Sequence, residues 1–261
     1  MAAIAQAQAT VTEYQYSITA QYPHDKTLFT QGLLLHEGVL YESAGLYGQS
    51  KLISRELASS LPTQALSIPP DLFAEGISVF KNKLYQLTWK AKTGYIYDLT
   101  TLQAEKTFHY QGEGWGLTAN HRHLIMSNGS GTLTFRDPDS FEIIKTLKVT
   151  HNNQPITHLN ELEWVNGLIA ANVWRKSVII FIHPEQGKVI GTLDLKALQP
   201  WPQRKNVLNG IAYNPKSHRI YVTGKNWKTL YELELTPEPR VAPNNHPTAS
   251  PSVNNKATMP N

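Results

Sequence analysis

The chain has 261 residues, 41% of them hydrophobic, and 24 basic against 20 acidic residues give it a net charge of +4. That hydrophobic content can fill a sizeable core, which excludes wholesale disorder, and a single all-β domain of about 200–250 residues is ordinary. The basic residues are scattered and form no block interleaved with aromatics, which argues against nucleic-acid binding. The absence of cysteine excludes disulfides, thiolate zinc sites and a cysteine nucleophile.

The N-terminal residues combine a small, neutral segment with a predicted strand. Ala5-Gln6-Ala7 has the small-x-small form of a signal-peptide cleavage site, but no charged or long apolar region precedes it. An exported protein with an added initiator methionine and a simply flexible N-terminus both fit, and we predict that residues 1–13 are flexible. Residues 14–22 alternate and are rich in β-forming residues, which predicts a strand. No stretch approaches the ~20 apolar residues of a membrane span.

Five sequence units follow, each opening on a key residue at the start of an apolar run. The key residues are spaced by 44, 40, 45 and 49 positions. Periods of roughly 40–50 residues with several short strands each are typical of a β-propeller. The key residues are Gln31, Glu75, Trp115, Asn160 and Asn209.

Each unit is predicted to contain a strand, a polar turn and two further strands, and the first four units add a fourth strand such as residues 103–109. The fifth unit ends at Leu235 without one. Because residues 14–22 precede the first unit as the other fourth strands precede their successors, we predict that this N-terminal strand completes the last blade. The expected fold is therefore a single five-bladed β-propeller over residues 14–235, with no exposed edge where the ring closes.

The composition changes after Leu235. Residues 236–261 are rich in proline, asparagine, threonine and serine, and their apolar content is too low to offset the entropy lost on ordering. We predict a disordered tail.

The repeat also predicts a functional site. The first strand of each propeller blade lines the central channel, so the five key residues form one ring. Further along each unit, at the ends of the second strands, a second ring contains Gly45, Trp89, Gly129, Trp174 and Lys225. One carboxylate, one amine, three indoles and several amides in a concavity are typical of a small-molecule site. The alternative is that the polar groups only hydrogen-bond one another around a wet channel.

Other candidate sites are weaker. His121-Arg122-His123 resembles a metal-binding pair but falls at a turn between predicted strands, and we interpret it as a solvated turn. The sequence has no His-Glu-x-x-His, EF-hand or Gly-x-Ser-x-Gly spacing. A calcium ion held by backbone carbonyls in the channel would leave no trace in the sequence, so a structural calcium there is left open.

From about Tyr22 to Leu235 the chain resembles the plant and bacterial type of glutaminyl cyclase, a family of five-bladed propellers. The segments that carry the resemblance occur in the right order in every unit. They are Phe29-Thr30-Gln31-Gly32-Leu33, residues 40–50, Phe73-Ala74-Glu75-Gly76, the Trp89 region, Gly114-Trp115-Gly116-Leu117, residues 159–163, Asn172-Val173-Trp174, residues 207–212 and Thr223-Gly224-Lys225.

The resemblance implies an acyltransferase that converts the N-terminal glutamine of peptides or proteins to pyroglutamate and releases ammonia, with no required cofactor and no catalytic metal. It also implies export to the periplasm or medium. We expect peptide substrates, no nucleic-acid or membrane partner, and a monomer. The family's active-site pattern corresponds to Phe29, Gln31, Phe73, Glu75, Trp89, Trp115, Asn160, Trp174 and Lys225, and we add Asn209 and Glu42 as substrate-binding candidates.

Glu75 is the only acid in the two rings, so we expect it to act first as base and then as acid in the cyclisation. Gln31, Asn160 and Lys225 are suited by type to stabilise an oxyanion, and the three indoles to hold the glutamine side chain bent. Two alternatives stay open. One is a hydrolase, such as a lactonase, with channel calcium held by Glu75, Asn160 and Asn209, and the other is a non-catalytic propeller that binds peptides at its rim.

Overall fold

A computed structural model of the protein describes residues 11–202 and 205–237. Within these ranges the chain forms 22 strands and one short 3-10 helix, Lys196–Leu198. No helix in the described part of the chain has the length and apolarity needed to cross a membrane. Residues 1–10 of the N-terminal segment predicted to be flexible (residues 1–13) and residues 238–261 of the predicted tail (residues 236–261) lie outside the described residues.

The strands after β1 (Thr12–Pro23) group into successive sheets, which we call blades 1 to 5. Blade 1 contains β2 (Thr30–His36), β3 (Val39–Ala44), β4 (Lys51–Glu56) and β5 (Gln64–Ser67). Blade 2 contains β6 (Ala74–Phe80), β7 (Lys83–Thr88), β8 (Thr93–Asp98) and β9 (Ala104–His109). Blade 3 contains β10 (Leu117–Ala119), β11 (Leu124–Met126), β12 (Thr132–Arg136) and β13 (Ile143–Lys148).

A short hairpin of β14 (Thr150–His151) and β15 (Gln154–Pro155) leads into the last two blades. Blade 4 contains β16 (Leu159–Val165), β17 (Leu168–Val173), β18 (Val178–Ile182) and β19 (Val189–Asp194). Blade 5 contains β20 (Leu208–Asn214), β21 (Arg219–Gly224) and β22 (Thr229–Pro237), and β1 is its fourth strand. The fold is the predicted five-bladed β-propeller.

The N-terminal strand closes the ring, as predicted. β1 pairs antiparallel with β22 from Tyr14 opposite Pro237 to Pro23 opposite Thr229. Its first residues also pair in parallel with β19, beginning with Thr12 opposite Gly191, so blades 4 and 5 share one eight-stranded sheet. β1 begins two residues before the predicted Tyr14, and β22 continues two residues past Leu235, because the two strands extend each other's pairing.

Packing between blades explains the burial pattern of the strands. The second strand of blade 4, β17, is buried at five consecutive positions because neighbouring blades cover both of its faces. The outermost strand of blade 3, β13, exposes most of its residues. The first strands β2, β6, β10, β16 and β20 contact one another in sequence, and β20 contacts β2 to complete the ring.

The first strands share a local irregularity that sets the direction of the key side chains. Register shifts lie between Thr30 and Gly32 in β2 and between Ala74 and Ile77 in β6, and β16 and β20 have equivalent shifts. Such bulges increase local twist and redirect side chains. In blade 3 the strand begins only after Trp115 and Gly116. The key residues are thus turned out of the regular ladder at one end of the channel.

Candidate active site

A cavity of about 210 Å³ lies at the end of the channel where the first strands begin. The structure brings together nine of the eleven predicted site residues in its wall, and it adds Leu46. Leu46 has a φ of 93° and follows Gly45 in one of the segments that carry the family resemblance, which was the only sequence signal for it. The predicted residues in the wall are Phe29, Gln31, Phe73, Glu75, Trp89, Trp115, Asn160, Trp174 and Lys225.

Glu75 provides the carboxyl group of this cavity and is only 4% exposed. Burial raises its pKa well above the ordinary value, because desolvation penalises the charged form. The positive charge of Lys225 and a hydrogen bond with Gln31 oppose the shift, and the negative charge of Glu113 adds to it. The carboxyl group therefore holds a proton more firmly than a free glutamate does, which suits it to proton transfer.

A chain of amides orients the group that contacts Glu75. Asn209 Nδ2 donates to Gln31 Oε1 at 3.2 Å and to the carbonyl oxygen of Thr30 at 2.9 Å. Because Gln31 Oε1 is occupied as an acceptor, its Nε2 is the group that donates to Glu75. Asn209 was predicted to bind substrate, but it does not line the cavity and instead fixes the orientation of Gln31.

Lys225 supplies a buried amine, 5% exposed, at the end of β21. Desolvation lowers its pKa to about 8, while the negative charge of Glu75 works against the shift. Its Nζ lies 4.5 Å from the centre of the Phe29 ring, and no described carboxylate oxygen lies within 4.0 Å of it. The ammonium thus faces the cavity without a close ion pair and is available to a developing negative charge.

Aromatic rings form the walls. The Phe73 ring meets Trp89 edge-on at 5.6 Å, and Trp115 meets Trp174 edge-on at 5.7 Å. A Cβ atom on Gly45 would lie 2.3 Å from the Phe73 ring, and one on Gly129 would lie 2.6 Å from the Trp115 ring. The alternation of glycine and large residues in the second ring therefore has a steric cause, because the glycines leave room for rings from the first strands.

Asn160 has an unsatisfied acceptor. Its Oδ1 is buried and lacks a hydrogen-bond partner, whereas its backbone carbonyl accepts from Ser127 Oγ at 2.6 Å. An unpaired buried acceptor is costly unless a ligand satisfies it. Asn160 was predicted as an oxyanion donor, and its free oxygen also fits an N–H group of a substrate.

Glu42 does not contact the cavity, although it was predicted to bind substrate. Its fully buried carboxylate accepts from Thr30 Oγ1 at 2.7 Å and lies 3.1 Å from His24 Nε2. β3 directs this side chain between blades 1 and 5, behind the wall that Gln31 forms. Its contacts join the two blades at the closure of the ring.

Glu113 belongs to the site but was missed. Its Oε2 accepts from Trp89 Nε1 at 2.7 Å and from Trp115 Nε1 at 2.9 Å. The residue lies outside both repeat positions, and its only sequence signal was its place two residues before Trp115.

Among the described residues, no group of three or more histidine, cysteine, aspartate or glutamate side chains is arranged to hold a metal ion. His121 and His123 lie in the turn between β10 and β11, where the Asn120 side chain accepts from the backbone N–H of Arg122.

The chain is similar to known proteins over most of its length. A family model described as glutamine cyclotransferase matches residues 1–235. An Arabidopsis thaliana protein named glutaminyl-peptide cyclotransferase is 35% identical over 228 residues, which cover 85% of this chain and 71% of that protein. The crystal structure of Myxococcus xanthus glutaminyl cyclase superposes with a TM-score of 0.81 at 38% identity, covering 86% of this chain and 98% of that one.

Proposed function

The chain belongs to the glutamine cyclotransferase family, and from this premise we propose that the cavity around Glu75 cyclises the N-terminal glutamine of peptides to pyroglutamate. By homology the protein is a glutaminyl-peptide cyclotransferase. The observation that carries the assignment to this cavity is the buried Glu75 carboxyl, whose raised pKa suits proton transfer, among three indole walls.

The reaction is intramolecular, which limits what the protein must supply. The α-amine of the substrate attacks the carbon of its own side-chain amide, and the enzyme has only to select a bent conformer. Holding reacting atoms in an attack-ready geometry can supply about 7–11 kcal/mol of the barrier. A cavity of about 210 Å³ walled by Trp89, Trp115 and Trp174 is small enough to impose that bend on one side chain.

The proton transfers fall to Glu75. As the neutral α-amine forms the new C–N bond, the Glu75 carboxylate takes a proton from the amine nitrogen. The protonated Glu75 then gives this proton to the amide nitrogen, whose C–N bond breaks so that ammonia leaves. Glu75 returns to its starting state, and a raised pKa helps both steps by lying closer to those of its partners.

The amide oxygen carries negative charge in the intermediate. Lys225 is the cation of the cavity, and the side-chain amides of Gln31 and Asn160 are further donors in its wall. Loss of one such donor typically costs about 3 kcal/mol, or 10²–10³-fold in rate. Asn160 Oδ1 would accept from a substrate N–H group and so satisfy its unpaired oxygen.

One experiment separates this function from its alternatives. The protein is incubated with a peptide that begins with glutamine, with and without a chelator, and the product is weighed. Loss of one ammonia per peptide, unaffected by chelation, is the expected result. An unchanged mass would contradict cyclisation and favour a peptide-binding propeller, and loss of activity in chelator would favour a channel metal.

Export to the periplasm or medium and a monomeric state are further proposals, supported by the family resemblance and by a closed ring with a charged exterior. Cell fractionation and sedimentation are the measurements that decide them.

A further inference from the structure

Glu113 lies in the loop before β10, at the mouth of the cavity, and it contacts two walls at once. One carboxylate oxygen, Oε2, accepts from the indole N–H groups of both Trp89 and Trp115, at 2.7 and 2.9 Å. The two tryptophans come from different blades and different ring positions, since Trp89 follows β7 and Trp115 precedes β10. The backbone already joins the two segments, because the N–H of Gly114 donates to the carbonyl oxygen of Trp89 at 3.0 Å. The carboxylate adds a link between the two side chains and so fixes the indole rings relative to each other.

Lys90 contacts both Glu113 and one of the two indoles that Glu113 binds. Lys90 Nζ lies 4.0 Å from the other oxygen, Oε1, and also 4.0 Å from the centre of the Trp89 ring. Lys90 thus covers the outer face of the same indole whose N–H binds Glu113. Hydrogen bonds to an ionised acceptor are about twice as strong as those to a neutral one.

We propose that Glu113 is a positioning residue for the cyclisation, which holds the Trp89 and Trp115 indoles at the separation that forces the glutamine side chain to bend. The proposal rests on the proposed function, because it assumes that these walls contact the reacting side chain. Glu113 takes no proton and need not touch the substrate. Its effect passes through the two rings.

Three variants test this clamp, by which we mean the Glu113 carboxylate with its hydrogen bonds from the Trp89 and Trp115 indoles. In Glu113→Ala both indoles lose their acceptor, and we expect kcat/KM to fall by about ten- to a hundredfold, since small misplacements of positioning groups carry such costs. KM should rise and kcat should fall, because the walls act on both bound substrate and transition state. Glu113→Gln retains one acceptor oxygen and should recover most of the activity.

Glu105→Ala is the matched control. Glu105 lies on β9, pairs with Lys83 and has a side chain 36% exposed, close to the 39% of Glu113. Unlike Glu113, it has no hydrogen bond to a residue of the cavity wall among those described. Glu105→Ala removes one exposed negative charge, as Glu113→Ala does, so the kcat/KM of Glu105→Ala should stay within about twofold of the wild type. A Glu113→Ala variant that matches Glu105→Ala, or that loses kcat with an unchanged KM, would reduce Glu113 to a structural role.

A second measurement is independent of activity. The indole N–H proton resonances of Trp89 and Trp115, assigned by single substitution to phenylalanine, should move upfield in Glu113→Ala and stay in place in Glu105→Ala. Unchanged resonances would overturn the clamp even in an active enzyme. Shifted resonances in a protein that does not cyclise glutamine would instead show that the proposed function had failed while the clamp exists.

Discussion

Glu75 occupies a repeat position that the other four blades fill with an amide or an indole. At the scale of single residues the site depends on Glu75 and Lys225, and burial disfavours the charged form of each. Burial raises the pKa of Glu75 and lowers the pKa of Lys225 to about 8. The two side chains therefore lie closer in proton affinity than a free glutamate and lysine. This suits a reaction in which a proton passes from the attacking nitrogen to the departing one as one C–N bond forms and another breaks.

Glu75→Gln should keep the fold and abolish nearly all cyclisation. The amide has the same shape and replaces a group whose charged form is disfavoured by burial, so the melting temperature should not fall. The product is weighed after incubation with a glutamine-initiated peptide. Near-normal turnover in a folded variant would remove Glu75 from the proton transfers.

The pH profile of kcat/KM should rise and then fall around pH 8. The rise follows the loss of a proton from the substrate α-amine, whose ordinary pKa is about 7.7–8.0, together with ionisation of Glu75. The fall follows the loss of the Lys225 charge, whose pKa is about 8. Lys225→Arg keeps its charge, so its profile should lose the alkaline decline, and an unchanged decline would assign that limb to another group.

At the scale of the strand, β-bulges in the first strands bring the repeated key residues together at one site. Four first strands shift register at the key residue, which turns Gln31, Glu75, Asn160 and Asn209 out of the ladder together. The second strands then end on either a large side chain or a glycine that makes room for one. The geometry of the two rings is thus set by how each blade begins and by where its second strand ends.

Gly129→Ala should lower the activity of the cavity far more than it lowers the stability of the fold. Its φ is 78° and its Cβ would lie 2.6 Å from the Trp115 ring, so the wall must move. Gly38→Ala is a matched control, because Gly38 has a φ of 86° with nothing within 4 Å of the added atom. Both variants should lose about 1 kcal/mol of stability from backbone strain. Only Gly129→Ala should lose about tenfold or more in kcat/KM, as expected for a displaced wall.

The sequence predicted the blades and most of the cavity because both repeat. A fixed spacing of key residues maps directly onto a ring, so the two repeat positions placed seven of the nine predicted residues that line the cavity. The other two, Phe29 and Phe73, were implied by the family resemblance.

Glu42 was predicted to bind substrate, but its contacts lie with His24 and Thr30 and it does not line the cavity. The spacing of the repeat does not determine the direction of a side chain on β3. Glu113 was missed because its role exists only when two indoles from different blades converge on it.

At the scale of the molecule, stability depends on the junction where β1 closes the ring. A buried pair lies at this junction, where His24 Nδ1 donates to the carbonyl oxygen of Trp227 at 2.8 Å and Nε2 faces the Glu42 carboxylate. Burial alone would lower the pKa of His24, but the charge and hydrogen bond of Glu42 raise it overall. Burial likewise acts to raise the pKa of Glu42, and His24 and Thr30 lower it overall.

This pair should make ring stability depend on pH in a defined window. His24 has a raised pKa, so its contribution is complete below about pH 6.5 and declines as the pH rises through the raised value. Glu42 has a lowered pKa, so its contribution is complete above about pH 4.5 and declines as the pH falls through the lowered value. The melting-temperature difference between wild type and His24→Gln/Glu42→Gln should peak between these limits. A difference independent of pH would show that the pair is not ionised.

The pairing of β1 with β22 also dictates an order of events during synthesis. Tyr22 and Glu232, which meet across this pairing, are 210 residues apart in the chain. β1 is made first and has no antiparallel partner until the last strand emerges, whereas blades 1 to 4 contain only neighbouring segments. Blades 1 to 3 can therefore form before β1 has any strand to pair with, and the ring closes only when β1 pairs with β22.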